Sequence, residues 1–113
     1  MQGKIICGDC EKVLKKLIED GIRADLILTD PPYNLNKDFG NDSDKLSLDD
    51  FEKRNRKRLA LCKQILKNDG SIIWFGIHSN IWVIQSLLHE LGFFYRRLNI
   101  WHYENGFSRS LKT

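Results

Sequence analysis

Short apolar runs alternate with segments whose apolar residues recur every three to four positions along nearly the whole chain, and no other feature constrains the fold as tightly. The order reads βαβαβαβ. Lys4 to Gly8 is a short apolar strand, and Val13, Leu14, Leu17 and Ile18 then recur at helical spacing until Gly21 supplies a stop. Leu26 to Thr29 forms a second strand. Asn34 to Ser47 is polar and rich in Asn, Asp and Gly, an unusually long connection for a compact domain and so a candidate mobile, functional loop. Ser47 with Asp50 three residues on resembles a capping box. The helix it opens runs to about Asn68, with Leu48, Phe51, Leu59, Cys62, Ile65 and Leu66 on its apolar side, and Asp69-Gly70 closes it. Ser71 to Gly76 is a third strand, a third helix follows Ser79 and stops at Gly92, and Phe93 to Trp101 reads as the last strand before a loop-like tail.

Strands alternating with helices imply an α/β fold with a mostly parallel sheet and right-handed crossovers, and such a sheet is covered on both faces. Three helices over four strands make a thin cover. At 113 residues, 42% of them hydrophobic, the chain suits one small domain and leaves no room for a separate ligand-binding half. No stretch approaches the roughly 18 apolar residues of a membrane span, and Lys4 and Asp9 interrupt any signal-peptide core, so the chain is read as cytoplasmic with no membrane partner. The cysteine count of three is odd, which suits reduced, mostly buried thiols better than a disulfide framework. Zinc would need about four ligands in paired spacing, and after Cys7-x-x-Cys10 the remaining Cys62, His78, His89 and His102 are scattered, so no metal site is expected.

Residues 30 to 33 carry the chemistry. Asp30-Pro31-Pro32-Tyr33 follows the apolar run directly, and α/β sheets place their sites just beyond the carboxyl ends of their strands. An exocyclic amine conjugated with its ring is a poor nucleophile until two acceptors draw its two hydrogens out of plane. Asp30 supplies one acceptor and the Pro31 carbonyl the other, while Pro31 and Pro32 fix φ and present no competing N–H. Tyr33 can stack on the base. A methyl sulfonium placed in line with the amine would complete a direct transfer that relies on orientation and electrostatics. A base inside a duplex would have to be flipped out to reach such a pocket.

With Thr29-Asp30-Pro31-Pro32-Tyr33-Asn34-Leu35, preceded by Cys7-Gly8-Asp9-Cys10 and followed by Asp69-Gly70-Ser71-Ile72 and Ile100-Trp101, the sequence resembles the amino-terminal part of an S-adenosylmethionine-dependent DNA adenine-N6/cytosine-N4 methyltransferase in the permuted, beta-class order. The resemblance implies a partial Rossmann-like methyltransferase sheet. It implies that Asp30, Pro31, Pro32 and Tyr33 are catalytic, and that Asp9, Cys10 and Asp30 contact the cofactor S-adenosylmethionine. It implies DNA as partner, in the setting of restriction-modification, and the Asp at position 30 favours adenine over cytosine. The chain also departs from the family: its glycines, at 3, 8, 21, 40, 70, 76, 92 and 106, never fall two apart, so the glycine-rich donor loop has no counterpart. The family's sheet also sets two donor-binding strands between the first and second strands found here. Residues 1–113 are therefore expected to be a single incomplete catalytic domain, inactive alone and completed by a complementary methyltransferase fragment or by self-association. The alternatives are an inactive remnant or interaction subunit, and a cytosine-N4 enzyme.

Charged residues divide by position. Lys53, Arg54, Arg56, Lys57 and Arg58 form a run read as a solvated helix face, since a net charge of +3 argues weakly for phosphate binding. Arg96, Arg97, Arg109 and Lys112 are better placed to meet a DNA backbone. Asp9 also suits the N-cap of the first helix, and that role is compatible with a cofactor contact. Trp74 and Phe75 are expected in the core, and His78 is read as structural.

Overall fold

The computed structural model describes residues 3–34 and 45–102. It is an α/β fold with the order α1 (Cys10–Glu19), β1 (Ala24–Thr29), α2 (Leu48–Ile65), β2 (Leu66–Trp74) and α3 (Ile81–Glu90). The helix starts follow local chemistry. Asp9 caps α1 by accepting from the Lys12 N–H at 3.1 Å, and Ser47 caps α2 by accepting from the Asp50 N–H at 3.2 Å. After α1 the chain turns through Gly21 at φ +81, a left-handed conformation in which any side chain is strained.

β1 and β2 pair in parallel, with Leu26 opposite Ser71, Ile27 opposite Ile72, Leu28 opposite Ile73 and Thr29 opposite Trp74. A parallel pair needs a crossover, and α2 supplies it. Side chains alternate between the two faces of the strands. Ile72 and Trp74 pack with Leu46, Ile81, Leu88 and Leu91 around a buried cluster of Phe51, Leu59, Val83, Ile84 and Leu87, so α2 and α3 close one face. α1 packs against α2 but buries none of its own residues completely.

Several expectations need correction. First, α2 ends at Ile65 and not near Asn68, because Leu66 adopts extended dihedrals (φ −71, ψ 140) and passes straight into β2. The register shifts between Ala24 and Leu26 on β1, whose partners are Leu66 and Ser71, so Asp69-Gly70 lies in an irregularity of the strand and does not cap the helix. A Cβ on Gly70 would meet the Lys67 carbonyl oxygen at 3.0 Å and that of Ala24 at 3.2 Å, which explains the glycine. Second, among the described residues the sheet has two strands and not four. Lys4–Gly8 and Phe93–Trp101 have strand-like composition but pair with neither β1 nor β2, and Ile5, Phe94, Ile100 and Trp101 stand exposed. Apolar alternation makes a strand only where an edge is presented for pairing. Third, Cys62 is buried but Cys7 and Cys10 are exposed, all three as free thiols. Trp74 is half-buried against the core as expected, whereas Phe75 lies on the opposite face, 38% exposed.

Candidate active site

Thr29 closes β1, and its carbonyl accepts from the Phe75 N–H at 3.1 Å, so the ladder holds both strand ends together just before the chain leaves the sheet. Asp30 follows at once, exposed, and Pro31 is half-buried behind it. The two prolines turn the chain so that the Tyr33 hydroxyl returns to donate to Asp30 Oδ1. The Asp30 carboxylate, first as hydrogen-bond acceptor and also as a charge, joins partial burial in pushing the Tyr33 phenol up to about 12, so at ordinary pH it stays neutral and donates. A carboxylate has two oxygens with room for about four hydrogen bonds. With Tyr33 on Oδ1, Oδ2 remains as an acceptor for an incoming amine.

Beyond Tyr33 the chain is pinned at two points. Asn34, at φ 64, accepts from the Leu46 N–H at 2.7 Å and donates to the Leu46 carbonyl at 2.8 Å, closing the base of the polar connection. Asn80 Nδ2 donates to the Tyr33 carbonyl at 2.6 Å. Of the connection read as a mobile functional loop, Asn34 to Ser47, residues 35–44 lie outside the described residues.

A cleft of about 410 Å³ opens at this end of the sheet, lined by Pro31 and Pro32 with Thr29, Gly8, Cys10, Arg58, Cys62 and Trp74 among others. The structure thus brings Cys10, expected at the cofactor, to the same cleft as the two prolines. Asp9 lines a second groove of about 290 Å³, which shares Ile6, Gly8 and Val13 with the first, and its carboxylate is engaged as the cap of α1. Arg96 and Arg97 are exposed in a stretch that is neither helix nor strand. Arg109 and Lys112 lie outside the described residues. His78 is exposed. Among the described residues no three His, Cys, Asp or Glu side chains gather at metal-binding distance.

The basic run on α2 is less uniform than its sequence suggests. Arg56 bridges Glu52 at 3.1 Å and Glu90 at 2.9 Å. Arg58 turns towards α1, with Nε buried at 3.8 Å from Glu11 Oε1 and no hydrogen-bond partner among the described residues. Helical spacing gives a signal for this in retrospect, because Arg58 falls four residues before the buried Cys62.

The DNA methylase family profile matches residues 24–113, the greater part of the chain. The chain belongs to the DNA methylase family. It is 34% identical over 97% of its length to the type II methyltransferase M.HpaI of Haemophilus parainfluenzae, of which it covers 35%. It is 37% identical over 63% of its length to the type II methyltransferase M.BglII of Bacillus subtilis, covering 18% of that protein. It is 30% identical over 80% of its length to the type II methyltransferase M.EcaI of Enterobacter cloacae, covering 22%. The chain therefore spans about a third or less of these relatives. No solved structure matches it. The family covers N6 and N4 methylases alike. No helix among the described residues is long and apolar enough to cross a membrane.

Proposed function

We propose that this chain carries the methyl-accepting half of an adenine-N6 DNA methyltransferase, one that modifies a flipped-out adenine in duplex DNA within a restriction-modification system. The observation that carries the reading is the placement of Asp30-Pro31-Pro32-Tyr33 at the carboxyl end of a parallel strand, with the Asp30 carboxylate and the Tyr33 phenol in contact. The amine of the extruded base donates one hydrogen to Asp30 and the other to the Pro31 carbonyl, and the Tyr33 ring supports the base from its face. Asp30 is also the nearest group to receive the proton that the methylated amine sheds. S-adenosylmethionine, when bound, supplies a methyl group on a positively charged sulfur. The cleft has the size of a small-molecule site and joins Cys10 to the prolines, so the residues present fit one side of that donor. The glycine-rich loop that would hold the rest has no counterpart among the eight glycines of this sequence. Activity accordingly depends on a further stretch of polypeptide, joined to this one or separate, that supplies the loop.

The test is transfer of labelled methyl from S-adenosylmethionine to adenine-rich duplex DNA, with a polypeptide carrying the glycine-rich loop present, followed by digestion to nucleosides. Label in N6-methyladenine is expected, and Asp30→Ala should lower the rate by about 100-fold or more, the scale for losing one preorganised group. Label in N4-methylcytosine would overturn the choice of base. An Asp30→Ala protein with full activity would remove the site assignment altogether.

A further inference from the structure

Asn80 occupies the N-cap position of α3, where an asparagine side chain ordinarily accepts a hydrogen bond from a backbone N–H of the first turn. It makes no such bond, and its dihedrals (φ −140, ψ 6) are not those of a regular cap. The carboxamide instead reaches across to the loop after β1 and donates to the Tyr33 carbonyl, 47 positions earlier in the chain, at 2.6 Å. Asn80 is 9% exposed, one of two buried polar residues among those described. The reason lies in the composition of the loop. Pro31 and Pro32 have no N–H, so their backbone offers no donors by which the turn can be tied down, and its carbonyls are what the surrounding structure can hold. On the far side of Tyr33, Asn34 is fixed to the backbone of Leu46 through both of its carboxamide atoms.

We propose that Asn80 is a positioning residue for Tyr33, holding its carbonyl so that the phenol stays on Asp30 and the ring keeps one orientation. The consequence for base stacking rests on the function proposed above, whereas the positioning itself does not.

Asn80→Asp separates this role from a purely structural one. Aspartate caps helices as well as asparagine does, so a residue needed only to start α3 tolerates the change. The carboxylate cannot donate to a carbonyl, so a residue needed to hold Tyr33 does not tolerate it. Of the three tyrosines, Tyr95→Phe and Tyr103→Phe leave Tyr33 alone. In that chain a carbon-13 label on the phenol carbon gives a single resonance that reports the environment of the hydroxyl. The resonance should be displaced from that of free tyrosine and should return to it in Asp30→Ala, which certifies the reporter. Asn80→Asp should also return it, with a lowered thermal midpoint, because a buried carboxylate then faces the Tyr33 carbonyl with no hydrogen to donate. A resonance left at its parental position by Asn80→Asp overturns the assignment. Val83→Ala is the control for that lowered midpoint, because Val83 is buried in α3 without being the residue bonded to Tyr33. Equal destabilisation by Val83→Ala with the resonance unmoved supports the assignment, and an equal return of the resonance overturns it. None of these readings requires methyl transfer. A chain that methylates nothing even with a polypeptide carrying the glycine-rich loop present, while Asn80→Asp releases Tyr33, would remove the proposed function and leave this inference standing.

Discussion

The two faces of the β1–β2 sheet are built from equally apolar residues and end in opposite circumstances. On one face Ile72 and Trp74 lie against Phe51, Leu59 and Leu87, with Leu59 at 0% exposure. On the other, Leu26, Leu28, Ile73 and Phe75 form a contiguous surface at 53%, 64%, 45% and 38% exposure. The strands read as continuous apolar runs because parallel sheets are made to be buried on both sides. The difference teaches that strand composition records what a sheet is suited to, while the helices that follow in the chain decide which face is covered. α2 and α3 both return to the same side, and the candidate site forms at the end where that covered side meets the strand termini.

The largest effect that would test this contrast is in the covered layer. Leu59→Ala removes the centre of the buried cluster and should lower the unfolding free energy by about 2–5 kcal/mol, the range for deleting a fully buried leucine. Urea denaturation at neutral pH measures it. A loss of under about 1 kcal/mol, typical of a site that is not packed, would mean that α2 is not seated on the sheet as described.

A second effect, on the order of 3 kcal/mol at most, comes from how dry that layer is. Burial, with the nearby Cys10 as a lesser cause, pushes the Cys62 thiol from its ordinary 9.0 up to about 11. Between those two values the unfolded chain has lost the proton and the folded chain keeps it, so the folded state binds more protons and stability falls as pH rises. The contribution is complete below about pH 9 and is lost as pH climbs through about 11. Denaturation midpoints of the parent and Cys62→Ala, compared at pH 8 and pH 10.5, isolate this thiol from the lysines and tyrosines that titrate in the same range. The parent should decline more steeply. Parallel declines would place Cys62 in contact with water.

What was legible in the sequence follows the same division between local and distant causes. Asp9 and Ser47 announce the helix starts because a cap acts within three residues, and Asp30-Pro31-Pro32 announces the end of β1 because prolines cannot continue it. The passage from α2 into β2 was not legible, since no glycine or proline marks it and the visible turn signal, Asp69-Gly70, serves a strand irregularity. Nor were the fates of 4–8 and 93–101, because whether a strand-like segment pairs depends on which edge the fold presents. The site divides likewise. Asp30 and Tyr33 stand three positions apart, so their closeness was legible, while the hydrogen bond between them was not. Arg58 beside Glu11, Asn34 on Leu46 and Asn80 on Tyr33 bring together residues 47, 12 and 47 positions apart, and although helical spacing puts Arg58 on the inner side of α2, nothing in a single sequence names the partner in such pairs.

The smallest effect belongs to the bare face, and it tests the comparison most directly. Leu28 sits one residue before the end of β1, opposite Ile73, with 64% of its surface open. Deleting a side chain that leaves no cavity forfeits little burial, so Leu28→Ala should change the unfolding free energy by no more than about 0.5 kcal/mol, the usual range for an exposed substitution. Because the face is apolar, the measurement belongs at two protein concentrations a hundredfold apart. If the cost of Leu28→Ala stays small and independent of concentration, the two faces differ in solution as they do in the structure. If it approaches the cost of Leu59→Ala at the higher concentration alone, a second copy of the chain is covering the face, since stability gained by association rises with protomer concentration. In that event the asymmetry of the sheet belongs to the isolated chain and not to its working state.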